Sequence, residues 1–170
     1  MSEKMKMYVG TKFINAKPMT RLEYNNFRGW ALPADENGDD AGFLVEYLDG
    51  GKANTTEYKG YVSWSPAEVF EKAYHSTDAM SFGDALMALK MGFRVSRAGW
   101  NGKGMFVYYV PAAAYPAQRN SFGTLVGVFA DDLVPYRDYI AMKTVDDQVV
   151  PWVASQSDML ANDWMTVGLE

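Results

Sequence analysis

Short apolar stretches follow one another along this 170-residue chain without the regularly spaced crossover helices that a parallel sheet requires. That pattern predicts an α+β fold of mainly antiparallel sheet with a few short helices. The polar stretch His75–Ala79 stands between two helix-start signals and divides the chain into two small modules, residues 1–79 and residues 80–170. Hydrophobic residues make up 48% of the chain and charged residues 22%, which is enough to build a core.

In the first module, Met7 to Ala16 reads as a strand. Thr20 caps a short helix and Glu23 completes a capping box, with Tyr24 and Phe27 on the apolar face. A polar, acidic loop runs from Pro33 to Gly42. Phe43–Leu48 and Gly60–Trp64 read as strands, separated by the turn signal Asp49-Gly50-Gly51. Ser65-Pro66-Ala67-Glu68 predicts a helix with Ser65 as its cap and Pro66 in first position. Val69, Phe70, Ala73 and Tyr74 share one face of that helix.

The second module opens with Ser81 as a cap, and Phe82, Ala85, Leu86 and Leu89 recur at helical spacing until Gly92. Strands are expected over Phe93–Arg97, Met105–Val110 and Leu125–Phe129. The stretch Ala112–Thr124 reads as an irregular loop. Tyr139–Thr144 and Gln148–Val153 read as a hairpin turning at Asp146-Asp147. A short helix over Ser155–Ala161 and a strand over Asp163–Val167 complete the module.

Several functions are disfavoured at the outset. The net charge is −5 and the basic residues form no stripe, so a long nucleic-acid duplex is a poor partner. Cysteine is absent, which removes disulfides, thiolate zinc sites and a cysteine nucleophile, and fits a reducing cytoplasm. No run reaches the length of a membrane span, and MSEKMKMYVG lacks the apolar stretch of a signal peptide. The single histidine, His75, falls in the apparent linker, and no catalytic triad assembles. The pairs Asp39-Asp40, Asp131-Asp132 and Asp146-Asp147 fall in expected turns, where solvated carboxylates are the rule. No metal site and no cofactor are expected.

Two stretches could hold a ligand. In Arg97-Ala98-Gly99-Trp100-Asn101-Gly102-Lys103-Gly104, the glycines let backbone N–H groups approach a ligand. Arg97 and Lys103 can neutralise phosphate, Trp100 can stack on a base, and Asn101 can read its edge. A hairpin loop with a buried tryptophan explains the same spacing equally well. The pattern is no P-loop. The second stretch joins Lys143 and Thr144 to Trp152, Ser155 and Asp158. Ser155 and Asp158 form a helix start, which attracts anions or simply caps the helix. Trp152 and Trp164 fit a core.

The segments MSFGDALMALKMGFRVSRAGWNGKGMFV, YIAMKT and VPWVASQSDMLANDWMTV resemble a phage family of Thoeris anti-defence sponges, the second type of such proteins. The resemblance implies a protein of the bacterial host cytoplasm. Such a protein captures a cyclic ADP-ribose isomer, glycocyclic ADP-ribose, without cleaving it, and so is not an enzyme. It also implies a homo-oligomer, typically a tetramer. Some relatives take cyclic oligonucleotide signals of CBASS-type defence, and hydrolysis of such a signal is the competing chemistry. The expected ligand-binding set is Arg97, Gly99, Trp100, Asn101, Gly102, Lys143, Thr144, Trp152, Ser155 and Asp158. Residues 1–79 lie outside this resemblance. There, MYVGTKFINAKPMTRLEYNNFRGW and YVSWSPAEVFEKAY resemble a segment common in phage proteins, for which no activity is implied.

Overall fold

The computed structural model describes Met5, residues 7–119 and residues 123–168. Residues 120–122 of the expected Ala112–Thr124 loop, and the last two residues of the second module, lie outside the described residues. The architecture is α+β and mostly antiparallel sheet. The chain divides into two compact units, Met1–His75 and Ser76–Glu170.

The first unit holds strand β1 (Ile14–Pro18), helix α1 (Arg21–Arg28), strands β2 (Gly42–Tyr47) and β3 (Tyr61–Pro66), and helix α2 (Ala67–Ala73). The strands form one antiparallel sheet in the order β1-β2-β3. The capping box starts α1: the Glu23 amide donates to the Thr20 hydroxyl, and the Thr20 amide donates to the Glu23 carboxylate at 2.7 Å. Gly29 ends the helix in the left-handed region. Tyr24, Leu44 and Val62 form the core, with Met19, Phe27, Tyr58 and Trp64 packed around them.

Two expectations here are corrected. The first strand begins at Ile14 rather than Met7, because its register runs out at the Ile14–Tyr47 pair where β2 ends. Ser65 does not cap α2. The β2–β3 ladder continues through the Phe43–Ser65 and Gly42–Pro66 pairs, so Ser65 stays in the strand and Pro66 precedes the helix with no side-chain cap. Phe70 stacks on Phe43 at 4.1 Å as an apolar helix face requires, while Val69 is exposed.

The second unit holds helix α3 (Phe82–Lys90), strands β4 (Arg94–Arg97), β5 (Phe106–Val110), β6 (Ala113–Pro116), β7 (Leu133–Tyr136), β8 (Tyr139–Lys143) and β9 (Val149–Pro151), helix α4 (Gln156–Met159) and strand β10 (Trp164–Val167). Five strands form an antiparallel sheet in the order β10-β4-β5-β8-β9, and β6 and β7 form a separate two-stranded sheet. Ser81 caps α3 as expected, and Asp84 closes the box. The helix lies against β4, β5 and β10. Ala85, Ala88 and Leu89 are buried there with Met80, Val95, Val107 and Trp164, while Ala141, opposite Tyr108 in the ladder, is buried on the other face of the sheet.

Leu125–Phe129 forms successive turns rather than a strand. Val126 and Val128 donate back to Gly123 and Leu125, and Gly127 has a positive φ with its amide turned onto the Asp132 carboxylate. The Ala112–Thr124 stretch is not wholly irregular, since β6 pairs with β7 from Ala113–Tyr136 to Pro116–Leu133. Among the described residues, no helix is long and apolar enough to cross a membrane.

Candidate ligand site around a tryptophan cluster

The edge of the five-stranded sheet brings distant residues together. Strand β10 pairs with β4 so that Trp164 stands opposite Arg97. The turn after β4 carries Trp100, the segment after β9 carries Trp152, and α4 lies between Trp152 and β10. The three indoles meet edge to face, with Trp100–Trp164 at 5.4 Å, Trp152–Trp164 at 6.0 Å and Trp100–Trp152 at 6.1 Å. Trp164 is fully buried, whereas Trp100 and Trp152 are half-buried. T-shaped pairs place a positive ring edge on a negative face, so the cluster gains more than its buried area alone.

Asp158 ties this cluster to the backbone. Its Oδ1 accepts from Arg97 Nη1 at 2.9 Å and from Trp100 Nε1 at 3.1 Å. Its Oδ2 accepts from the Ser155 hydroxyl at 2.6 Å and the Ser155 amide at 3.1 Å, and its carbonyl accepts from Trp164 Nε1 at 3.0 Å. Burial alone would raise the carboxyl pKa. The hydrogen bonds from Ser155, Arg97 and Trp100 outweigh that cost and hold it at about 2.

Asp163 completes the frame. It accepts from Arg97 Nε at 2.8 Å and from the Gly99 amide at 2.7 Å. Arg97 in turn holds its carboxyl below the ordinary range, with the Gly99 amide adding to the effect. The Arg97 side chain is only 17% exposed, and its guanidinium is shared between two carboxylates, which raise its own pKa. A charge compensated in this way is poorly placed to neutralise a phosphate as well.

Of the expected site residues, the structure brings together Arg97, Gly99, Trp100, Trp152, Ser155 and Asp158. Gly102, Lys143 and Thr144 form a neighbouring group at the far end of the loop. A Cβ at Gly102 would run into the side chains of Met105 and Val145, so glycine lets the loop close onto the β8–β9 turn without shifting them. Lys143 Nζ donates to the Gly104 carbonyl at 3.4 Å, and the Thr144 hydroxyl accepts from the Gln148 amide at 3.1 Å. Asn101 and Lys103 are exposed at the loop tip. Sequence reasoning misses Asp163 as a site residue, because its partners Arg97 and Gly99 lie more than sixty positions away in the chain. Trp164, expected in a core, stands at the centre of the cluster.

The first unit has a cleft of about 460 Å³ lined by residues including Arg21, Glu36, Asp40, Trp64 and Glu68. Arg21 lies over the Trp64 ring at 4.9 Å and pairs with Glu36, so its charge is also answered internally.

Fold and site together define a class: a small antiparallel-sheet domain with one helix across it and an aromatic, charge-framed loop at the sheet edge. Residues 80–167 match the Thoeris anti-defense 2-like (Tad2-like) domain, and the chain belongs to that family. It is similar to the protein named Thoeris anti-defense 2 from Bacillus phage SP01, at 42% identity over 85 residues, which span 50% of this chain and 91% of that relative.

Proposed function

We propose that this chain is a phage anti-defence protein that binds and sequesters a cyclic ADP-ribose-type signal, glycocyclic ADP-ribose, without cleaving it, and so blocks Thoeris defence in the host cytoplasm. The observation that carries this reading is the family match across nearly the whole second unit. The loop Gly99–Gly102 supports it, with the exposed Asn101 and the accessible part of Trp100 at one sheet edge. In this reading Trp100 and Trp152 offer ring surface, Asn101 reads a base edge, and Lys143, Thr144 and Ser155 face the sugar and phosphate groups. Arg97 and Asp158 act mainly by holding Trp100 in place.

Sequestration is favoured over hydrolysis by the state of the carboxylates. A general base works best with a pKa near the operating pH, whereas Asp158 sits at about 2 with its oxygens already accepting hydrogen bonds. The domain acts as a homo-oligomer, a tetramer by family likeness. Exposed apolar residues of the second unit, including Val149, Val150, Val153 and Leu160, suit burial between copies.

Calorimetric titration of the full chain with glycocyclic ADP-ribose is expected to give saturable binding. Denaturing the complex should release the ligand with its mass unchanged, and light scattering should report a tetramer. A hydrolysed product in place of the intact ligand would sink sequestration, and a monomer at micromolar concentration would remove the assembly.

A further inference from the structure

Strand β4 carries two arginines three positions apart, so their side chains leave opposite faces of the sheet. Arg97 is consumed by Asp158 and Asp163. Arg94 is exposed, and among the described residues it pairs with no carboxylate. Its guanidinium lies over the ring of Phe106 at 5.2 Å. Gly168, with φ +76°, leaves the space it needs, since a Cβ there would collide with the guanidinium. Phe106 stands in register with Lys143 across β5 and β8, and Tyr108 lies 6.0 Å from it on the same face. The Lys143 ammonium reaches the Gly104 carbonyl, so this face adjoins the glycine loop. Its ion pair with Asp147 is open to solvent on the carboxylate side, with the Asp147 side chain 81% and the Lys143 side chain 28% exposed. Such a pair contributes little and exchanges readily for a phosphate.

We propose that Arg94, with Phe106 and Lys143, forms the anion-binding part of the ligand site, and that the pyrophosphate of a cyclic ADP-ribose-type signal is held here rather than by Arg97. The assignment rests on the function proposed above. A guanidinium lying against an aromatic ring keeps its N–H edge free for two parallel bonds to phosphate oxygens. Two cations on one face match the two charges of a pyrophosphate, and Phe106 and Tyr108 supply apolar ring surface beside them.

The test is calorimetric titration of glycocyclic ADP-ribose into the full chain and into Arg94→Gln, Arg94→Lys and Lys143→Gln, with thermal melting of each. Arg94→Gln keeps the stem over Phe106 and loses the charge. It should weaken binding by about tenfold or more while melting like the parent. Arg94→Lys should fall between the two, because the charge remains and the fork is lost. Lys143→Gln should also weaken binding, and it reads the same face should an Arg94 variant fail to fold. If the parent binds and Arg94→Gln or Lys143→Gln binds within about twofold of it, this site is wrong and the ligand reading stands. If the parent does not bind, the ligand reading itself falls, and the anion site with it.

Discussion

Replacing Asp158 by alanine is expected to destabilise the second unit by about 3–5 kcal/mol, the range for removing one partner of a buried ion pair. Its side chain is 12% exposed, and one carboxylate serves three purposes. It closes the capping box of α4, compensates Arg97 and orients the Trp100 indole. Alanine leaves an arginine half-compensated, an indole N–H without its acceptor and a helix without its box. The Asp158→Asn variant would keep one acceptor oxygen but turn an amide donor towards the Ser155 amide or Arg97, so an intermediate loss is expected. Urea unfolding of both variants measures this. A loss below about 1 kcal/mol for Asp158→Ala, the level of a lost helix cap, would show that the frame is not what holds the cluster.

The same carboxylate makes the unit sensitive to acid. Its folded-state pKa is depressed from 3.8 to about 2, so its stabilisation is present above the ordinary carboxylate range and is lost as pH falls through about 2. The shift corresponds to about 2 kcal/mol. Stability should therefore decline between about pH 4 and pH 2 in the parent, and more shallowly in Asp158→Asn, when urea midpoints are compared along that series.

Trp100→Ala is expected to act on stability and binding together. The indole is half-buried against Trp152 and Trp164 and donates to Asp158, so truncation should cost about 3 kcal/mol, the low end for a core tryptophan. Removing a ring that stacks on a base should also weaken binding by roughly tenfold to hundredfold. Trp100→Phe separates the two effects. It keeps a ring for the ligand but loses the N–H bond, so it should retain much of the affinity while melting below the parent. A Trp100→Ala protein that melts and binds like the parent would exclude both roles.

Local signals were legible where a few neighbouring residues decide the outcome. Thr20 with Glu23 and Ser155 with Asp158 are self-contained boxes, and the helices start where those residues stand. Signals that compete with long-range pairing were not. Ser65 has every local mark of a cap, yet the β2–β3 ladder keeps it extended. Leu125–Phe129 has the apolar content of a strand, but a positive φ at Gly127 and the bond from its amide to Asp132 bend the chain into turns. The role of Arg97 could not be read from its glycine-rich neighbourhood, because its two carboxylate partners belong to α4 and the residue before β10. Composition suggested a cation near a tryptophan. The ladder between β4 and β10 decides what that cation faces.

The small β6–β7 sheet lies between Val110 and Tyr139, which are themselves paired across β5 and β8. Residues 111–138 therefore leave and re-enter the main sheet at one rung, like a cassette plugged into a fixed socket. Loop length enters closure entropy only logarithmically, so such a cassette can grow, shrink or be exchanged at a cost of tenths of a kcal/mol to about 1 kcal/mol. Variation between phages can then accumulate in this segment while the rungs beneath it, from Val110–Tyr139 to Phe106–Lys143, keep their alignment. A lineage under pressure from a changing bacterial defence has there a part it can rewrite without refolding the rest.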